Sequence, residues 1–384
     1  MKEKSIFYIG YFDTVGSKYK HVVSPAGSFK MRYVAEAIAA CNCHVNILSL
    51  ARPVYEKTRL VNSEKVDVTF NIHAFFYPFF SVNNLYVRKI CSIFQMLYFF
   101  VSILLRVRRA DTLVVYHSLS YAFLIFLLRK IIGFNLVLEV EEIYQNVKSV
   151  FWFNSILERL LFNSADAYIF PSELLEERIN VKKKSFLIIY GSYKESPFLS
   201  EKSDDDKVHI IYSGTFDSRK GGAFSAIEAA EYLDQNYHIH ITGLGTNEEV
   251  NRIQKAVNTV SAHTTCRLSY DGFINDNEFL PYLQQFNIGL CTQNPNDQLS
   301  SSCFPSKILL YLSNGLTVLS SKAPAVVKSS IASDLYFYEE QNPKSIAERI
   351  KAIPLNVDNR GVVRKLDSDC KEKMALFLKK IVEK

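Results

Sequence analysis

Ser306 and Lys307 combine a lysine with the predicted start of a helix. They follow Pro305, whose fixed φ angle suits the first turn of a helix, and they precede an apolar run that ends at Asn314-Gly315, a helix-stop pattern. The first turn of a helix offers unpaired N–H groups and partial positive charge, and with a lysine these form a site for a phosphate or diphosphate. The alternative is a capped core helix that carries a lysine by chance.

Four glycines follow predicted strands in the second half of the chain. Gly214 occurs in YSGTFDSRKGG, Gly243 and Gly245 occur in ITGLG, and Gly272 occurs in YDGFI. Glycine permits close backbone approach and positive φ angles, which a nucleotide diphosphate resting on strand ends requires. Lys220, in the first of these segments, supplies a second cation. The set predicts a site for a sugar nucleotide or a dinucleotide.

A histidine and several carboxylates follow two predicted strands in the first half. The strand at 112–116 ends at His117, and the strand at 135–140 ends in EVEEIY, which contains Glu141 and Glu142. Carboxylates at a strand end are costly to bury unless they are paired or used. The alternatives are a solvated loop for the carboxylates and a hydrogen-bonded core position for the histidine.

The opening of the chain predicts a strand at 5–11, a loop at 12–25 and a helix at 29–40. Strands that alternate with helices form parallel sheets covered by helices, and ligands collect at the carboxyl ends of such strands. The loop is therefore a candidate substrate site, with Gly10 and Gly27 as its flexible points.

Length and composition limit the class of protein. The 384 residues predict two domains, and a hydrophobic content of 48% excludes a disordered chain. The net charge of +6 fits an anionic ligand or an anionic membrane surface, and is too small to indicate nucleic acid. The seven cysteines form no framework, which favours a reducing compartment, and Cys41, Cys43 and His44 lack a second ligand pair for zinc. The N-terminus shows no cleavable signal pattern.

The strand–helix pattern breaks at 191–207 and restarts at Val208, which predicts two doubly wound domains. The boundaries predicted are 1–195 for the first domain and 205–365 for the second. The basic amphipathic helix at about 366–384 is expected to pack back on the first domain.

Two apolar helices are predicted at 86–109 and 119–134. Basic residues flank the first, and its apolar run is shorter than the about 20 residues that span a bilayer. A buried helix or a helix lying on the membrane fits better than a spanning one. The basic cluster at its end is Arg106, Arg108 and Arg109.

The order of these motifs resembles the glycosyltransferases of family four, retaining enzymes with the two-Rossmann-domain GT-B fold. YSGTFDSRKGG is similar to the family's first loop in the C-terminal domain, and ITGLG and YDGFINDNEFLPYLQQFNIGL match later segments in order and spacing. FPSKILLYLSNGLTVLSS is similar to the donor-binding helix and the strand after it. The resemblance covers most of the chain and implies two Rossmann-like domains that face each other across a cleft.

The resemblance implies a donor site in the second domain that neutralises the leaving nucleotide with two cations and a helix N-terminus, without a metal or other cofactor. Its expected catalytic residues are Lys307 and Lys220, together with His117, Glu141 and Glu142 of the first domain. The residues that it places at the donor are Gly214, Thr215, Arg219, Lys220, Gly243, Gly245, Gly272, Phe273, Ile274, Pro305, Ser306, Lys307 and Leu310. The resemblance assigns the acceptor to the first domain, beside Gly10, Gly27, His117, Glu141 and Glu142.

The sequence departs from the family at several positions. Two glutamates eight residues apart are replaced by Ser302 and Leu310. The basic residue that the family often has after the loop glycine is replaced by Thr215, unless Arg219 takes its place from further along the loop, and a histidine in the first domain is replaced by Glu141. These departures bear on recognition of the sugar hydroxyls.

The function predicted is transfer of a sugar from a nucleoside-diphosphate sugar to a saccharide acceptor, expected to be lipid-linked, in bacterial capsule, lipopolysaccharide or exopolysaccharide assembly. We expect a cytoplasmic protein peripheral on the inner face of the membrane, with no nucleic-acid partner. Two alternatives remain open. One is a pseudo-transferase that binds nucleotide sugar and scaffolds a partner, and the other is a nucleotide-sugar 2-epimerase with the same fold.

Overall fold

The computed structural model of the chain describes residues 4–54, 59–82, 84–144, 152–203, 205–216, 221–296, 303–355 and 357–382. The chain divides into two compact units, each built around a parallel sheet. The first unit comprises Met1–Pro171, Leu175–Ser192 and Ser368–Lys384, and the second comprises Ser172–Leu174 and Tyr193–Asp367.

The first unit contains an eight-stranded sheet in the order β10-β9-β8-β7-β1-β2-β5-β4. All neighbouring strands are parallel except β4 and β5. Its strands are β1 (Lys4–Gly10), β2 (Cys43–Ser49), β4 (Glu64–Thr69), β5 (Ile72–Phe76), β7 (Thr112–Tyr116), β8 (Asn135–Glu139), β9 (Ala167–Phe170) and β10 (Ser185–Ile188). A separate antiparallel pair joins β3 (Arg59–Val61) and β6 (Phe79–Ser81).

The helices that cover this sheet are α1 (Pro25–Ala39), α2 (Leu85–Arg106), α3 (Leu119–Ile132), α4 (Trp152–Ser164) and α5 (Glu173–Ile179). Helix α1 begins earlier than the sequence predicted, because Ser24 caps it and accepts a hydrogen bond from the Gly27 backbone N–H at 3.4 Å. Gly27 therefore lies in the first helical turn, and the prediction that it is a flexible point of the preceding loop is wrong.

The second unit contains a six-stranded parallel sheet in the order β13-β12-β11-β14-β15-β16. Counted within the unit, this is the 3-2-1-4-5-6 order of a doubly wound fold. Its strands are β11 (Val208–Thr215), β12 (Tyr237–Leu244), β13 (Arg267–Gly272), β14 (Ile288–Cys291), β15 (Thr317–Ser320) and β16 (Tyr336–Phe337). The sequence prediction ended the sheet at 316–320, so it missed β16, which is only two residues long.

The helices of the second unit are α6 (Gly222–Ala229), α7 (Asn247–Ser261), α8 (Asp276–Leu283), α9 (Ser306–Ser313), α10 (Pro324–Val327) and α11 (Pro343–Lys351). Short 3-10 turns lie at Ala230–Tyr232 and Ala332–Asp334. The last helix, α12 (Arg360–Val382), starts in the second unit and ends in the first. It begins six residues before the predicted start, where the Asp358 carboxylate accepts a hydrogen bond from the Arg360 backbone N–H at 3.0 Å.

The central strands of both sheets are apolar on both faces, as expected of parallel strands covered by helices. The strands β7, β8, β9, β14 and β15 are almost entirely buried. This burial fixes the register of the sheets, and with it the positions of the polar residues that follow the strands.

Candidate functional site

The sheet of the second unit reverses its strand order between β11 and β14, and in doubly wound sheets ligands bind at the carboxyl ends of the strands beside such a point. Gly214 lies at the end of β11, and the first turn of α9 brings Lys307 to it. A Cβ atom on Gly214 would lie 3.1 Å from the Nζ atom of Lys307. The absence of a side chain at Gly214 therefore leaves room for the ammonium group at the strand end.

Lys307 is held by aromatic and polar neighbours. Its Nζ atom lies 4.0 Å from the centre of the Tyr212 ring, and the hydroxyl of Tyr311 accepts a hydrogen bond from the Ser213 backbone N–H at 2.9 Å. Burial opposes the charge of the ammonium, but Tyr212, Tyr311 and Cys291 outweigh this effect and raise the pKa of Lys307 above its ordinary value. Within the described part of the chain, Lys307 forms no ion pair with a carboxylate. Its positive charge is thus available to an anion.

The ends of β11 and β12 pack backbone against backbone. Gly243 has a φ angle of 150°, and a Cβ atom there would overlap the carbonyl oxygen of Gly214. Gly245 faces the first turn of α7, where a Cβ atom would lie 3.0 Å from the Glu249 carboxylate, and Gly272 ends β13 with a φ angle of 76°. Gly243 and Gly272 adopt conformations that favour glycine.

The start of α6 closes another side of the region. Gly221 has a φ angle of 61°, and a Cβ atom on Gly222 would lie 3.1 Å from the Tyr212 ring and 3.2 Å from the Gln293 backbone nitrogen. The hydroxyl of Thr292 donates a hydrogen bond to the Gly222 carbonyl oxygen at 2.6 Å. The glycines thus allow the ends of β11 and β14 and the start of α6 to converge.

Three more residues predicted at the donor, Thr215, Phe273 and Ile274, are exposed or partly buried. Thr215 is exposed and lines a small pocket with Phe216, Gly221 and Arg252. Phe273 is 58% exposed, and Ile274 after it is partly buried.

The start of α9 differs from the prediction at one residue. Pro305 is the N-cap and not part of the first turn, Ser306 is exposed at the first helical position, and Leu310 is partly buried. Arg219, Lys220 and Ser302 lie outside the described residues.

A cavity of about 720 Å³ lies in the first unit, where the strand order reverses between β1 and β7. Four of the predicted acceptor residues line it: Gly27, His117, Glu141 and Glu142. Gly10 instead lies beneath the Met31 side chain, where a Cβ atom would come within 2.6 Å of the terminal methyl. The remaining lining residues are Tyr11, Val22, Val23, Ser24, Leu50, Arg52, Phe79, Ser92, Gln95, Met96, Tyr116, Ser118, Ser120 and Tyr144.

A buried charge cluster supports one wall of this cavity. The Nζ atom of Lys30 lies 2.5 Å from the Glu141 carboxylate and 3.9 Å from the Glu139 carboxylate. Glu139 is fully buried and accepts a hydrogen bond from the Tyr8 hydroxyl. Burial raises the pKa of Glu139 and the charge of Lys30 partly offsets this. A solvated loop, the alternative for these carboxylates, does not describe Glu139.

His117 is 2% exposed, and neither ring nitrogen has a hydrogen-bond partner among the described residues. Its Nε2 atom lies 3.5 Å from the Glu158 carboxylate, which is also buried. Burial lowers the pKa of His117 to about 4, against a smaller opposing contribution from the Glu142 backbone. His117 is therefore neutral at pH 7.

Sequence reasoning missed three residues of these sites. Tyr212 and Tyr311 were assigned to a strand and to a buried helix, and nothing in their spacing indicates contact with a lysine. Lys30 could have been found, because it precedes Tyr33 and Val34 by three and four residues and thus lies on the apolar face of α1. A lysine on a buried face indicates a buried anionic partner.

Helix α2 exposes a wide apolar face. It packs on the first unit through a stripe formed by Gln95, Phe99, Ser102 and Ile103. By length and composition, the segment Tyr86–Arg106 is apolar enough to cross a membrane, with a mean hydropathy of 1.5 and 22% of its apolar window buried. The helix is thus longer than the apolar run from which the sequence argued against a spanning helix. Its exposed apolar residues are Tyr86, Val87, Ile90, Ile93, Phe94, Leu97, Tyr98, Val101, Leu104 and Leu105.

No family model and no curated protein matches this sequence. Solved structures do match. A trehalose-phosphate synthase (UDP-forming) from Burkholderia xenovorans in complex with glucose-6-phosphate has a TM-score of 0.63 at 8% identity, over 99% of this chain and 100% of that one. The pneumococcal O-GlcNAc transferase GtfA in complex with UDP and GlcNAc has a TM-score of 0.62 at 11% identity, over 100% and 99%.

A third match is Anabaena Alr3699/HepE in complex with UDP, with a TM-score of 0.59 at 12% identity, over 99% of this chain and 94% of that one. At such low sequence identity, the structural similarity is evidence for the fold alone. The chain has the GT-B fold, with two Rossmann-like units, as the motif order predicted, and its structural neighbours include glycosyltransferases.

Proposed function

We propose that this protein transfers a sugar from a nucleoside-diphosphate sugar to a saccharide acceptor. The observation that carries the proposal is the position of Lys307, a cation without a described carboxylate partner, at the start of α9 and against Gly214. A helix N-terminus and a lysine together favour a diphosphate. The neighbours GtfA and HepE bind UDP in their own structures, which supports a nucleotide at a GT-B fold.

The chemical role of the site is to stabilise the leaving group. When the bond between the anomeric carbon and the diphosphate oxygen breaks, negative charge grows on the diphosphate, and the Lys307 ammonium with the N–H groups of α9 stabilises that charge. Lys220 is the second proposed cation. We further propose a retaining, metal-independent reaction in which the donor phosphate helps to remove the proton of the acceptor hydroxyl, as the resemblance to family four implies.

The cavity of the first unit is the proposed acceptor site. Its volume of about 720 Å³ is within the usual range for a small-molecule site, and its walls carry His117, Glu141 and Glu142. Lys30 fixes the Glu141 carboxylate at 2.5 Å. A saccharide offers several hydroxyl groups, and carboxylates and a neutral imidazole are suited to accept hydrogen bonds from them.

We also propose that the acceptor is lipid-linked and that the protein lies on the inner face of a bacterial membrane, in the assembly of a surface polysaccharide. The exposed apolar face of α2, with Arg106, Arg108 and Arg109 at and beyond its end, fits a helix lying at the interface with anionic lipid. One structural neighbour is a lipopolysaccharide outer core galactosyltransferase, WaaB, with a TM-score of 0.53.

A second candidate is a protein that binds nucleotide sugar without transferring it. It is favoured by Leu310, which offers no carboxylate to a sugar at the position where the related family has a glutamate. The two candidates share the donor site and differ in turnover.

A transfer assay distinguishes them. Purified protein is incubated with UDP- and GDP-sugars and with vesicles that contain bacterial lipid-linked saccharides, with and without EDTA, and both nucleoside diphosphate release and labelled lipid are measured. We expect acceptor-dependent release that EDTA leaves unchanged and that Lys307→Met abolishes, with Lys255→Met, an exposed lysine on α7, as the matched control. Binding of a donor with no release under any condition would contradict transfer and favour the second candidate.

A further inference from the structure

Three histidines of the second unit lie together at the amino ends of β11 and β12. His209 is paired in register with His238, and His240 lies two residues further along β12, on the same face of the strand. One ring nitrogen from each lies within 4.8 Å of the other two, and no other such group of potential metal ligands occurs in the part of the chain that the structure describes. His209 is 6% exposed and His238 is 3% exposed.

Two carboxylates determine where the protons of the cluster lie. The Nε2 atom of His209 is 2.5 Å from the Asp205 carboxylate, and the Nδ1 atom of His240 is 2.6 Å from the Asp271 carboxylate, which also accepts a hydrogen bond from the Tyr282 hydroxyl. Because an ionised carboxylate only accepts hydrogen bonds, each imidazole carries its N–H on the nitrogen that faces its aspartate.

The inner nitrogens of these two rings are then both lone-pair acceptors. The Nδ1 atom of His209 and the Nε2 atom of His240 face each other at 3.0 Å. In addition, the Nδ1 atom of His238 is buried and has no hydrogen-bond partner among the described residues, while its Nε2 atom lies 3.1 Å from the Ser269 hydroxyl. Lone pairs in contact and a buried nitrogen without a partner are unfavourable unless a cation lies between them.

We propose that His209, His238 and His240 bind a divalent transition-metal ion of the zinc class. Imidazole nitrogens suit Zn²⁺, Co²⁺, Ni²⁺ and Cu²⁺. When two imidazole nitrogens each bind one ion at about 2.0–2.1 Å, the distance between them is close to the 3.0 Å that separates the Nδ1 atom of His209 from the Nε2 atom of His240. Asp205 and Asp271 hold the outer N–H groups of the two rings, the arrangement that orients metal-binding histidines in proteins.

The position of this site separates it from sugar transfer. At about 3.3 Å per residue, His209 lies roughly 16 Å along β11 from Gly214, because the two residues are near opposite ends of the strand. The ion joins β11 and β12 to the segment that carries Asp205 and to β13, which carries Asp271. It therefore stabilises the second unit, and the proposed independence of sugar transfer from a metal is unaffected.

The test is metal binding by the full chain after removal of bound metal with a chelator. Zn²⁺ is titrated by calorimetry, Co²⁺ is titrated by its visible absorption, and the melting temperature is measured with and without Zn²⁺. The variants are His238→Phe, which keeps an aromatic ring, Asp271→Asn, and His263→Phe, an exposed histidine of the same unit, as the control. Equal melting temperatures without metal establish that the variants are folded.

We expect one equivalent of Zn²⁺ to bind and to raise the melting temperature, and Co²⁺ to develop absorption bands of a nitrogen-rich site. His238→Phe should weaken binding by more than about 100-fold, Asp271→Asn by about 10- to 100-fold, and His263→Phe not at all. Absence of one-equivalent binding would overturn the proposal and leave a shared proton between His209 and His240. Equal binding by wild type and His238→Phe would also overturn it. If His238→Phe does not fold, the Zn²⁺ affinities of Asp271→Asn and His263→Phe are compared instead. Equal affinities of these two variants would overturn the proposal.

Discussion

The Nζ atom of Lys307 lies 4.0 Å from the centre of the Tyr212 ring, so the ring face and not a described carboxylate is its partner. A ring stabilises a cation without neutralising it. Such a lysine keeps its full charge for an incoming phosphate, whereas an ion-paired lysine would first have to lose its partner.

The first prediction concerns this ring. Tyr212→Leu should weaken nucleoside-diphosphate binding by about 2- to 30-fold, because a cation–π contact contributes about 0.5–2 kcal/mol to the position of the ammonium. Tyr212→Phe keeps the ring face and should bind within about threefold of wild type. Calorimetry with UDP and GDP measures both variants. Equal losses in the two would show that the hydroxyl and not the ring is what matters.

The second prediction concerns the close contact between β11 and β12. Gly243→Ala should lower the free energy of unfolding by about 2–4 kcal/mol, because a Cβ atom there overlaps the Gly214 carbonyl in addition to backbone strain. Gly221→Ala is the matched control, since its φ angle is 61° but no atom of the described residues lies within 4 Å of its Cβ position. Urea unfolding measures both, and an equal effect in the two variants would contradict the contact.

Individual strands and helices were predictable from the sequence to different degrees. The strands β7, β14 and the helices α5 and α9 match the sequence pattern closely because they are apolar runs bounded by clear turn residues. The strands from β3 to β6 were not predicted from the sequence. Among them, β4 (EKVDVT) is a polar strand at the edge of the sheet, without a buried pattern on both faces.

The functional sites also combine features that local sequence signals predict with features that depend on tertiary packing. The position of Lys307 follows from local helix signals, whereas its contact with Tyr212 depends on how α9 packs on β11. The ion pair of Lys30 with Glu141 joins residues 111 positions apart in the sequence, and no local pattern encodes that distance.

The third prediction concerns pH. Because burial holds the pKa of His117 at about 4, below the about 6.5 of an unfolded chain, the unfolded state binds a proton first on acidification. Its contribution to stability is complete above about pH 6.5 and is lost as the pH falls toward 4, by at most about 3 kcal/mol. Urea unfolding of His117→Gln should lack this loss, and comparison with wild type at each pH cancels the opposite effect of Glu139, whose pKa is raised. His263→Gln is the control. Parallel pH profiles for wild type and His117→Gln would contradict the buried neutral imidazole.

The fourth prediction concerns the membrane surface. Replacing Arg108 and Arg109 by Gln should weaken binding to vesicles rich in anionic lipid by about 30-fold, because each basic residue at such a surface contributes about 1 kcal/mol. Replacing Lys344 and Lys351 on α11 by Gln makes the same change in net charge and should leave binding near the wild-type level. Vesicle sedimentation measures both. Equal weakening by the two pairs would assign the effect to net charge and not to the end of α2.

The central claim is that Lys307 binds the diphosphate of a sugar nucleotide, and a thermal-shift panel of UDP- and GDP-sugars without added metal tests it most directly. A ligand at 100 times its Kd adds about 2.7 kcal/mol to the free energy of unfolding. We predict that at least one nucleotide sugar raises the melting temperature of wild type and of Lys255→Met, and that Lys307→Met, which folds normally, shows no shift. An undiminished shift in Lys307→Met, or no shift with any nucleotide sugar, would contradict the claim.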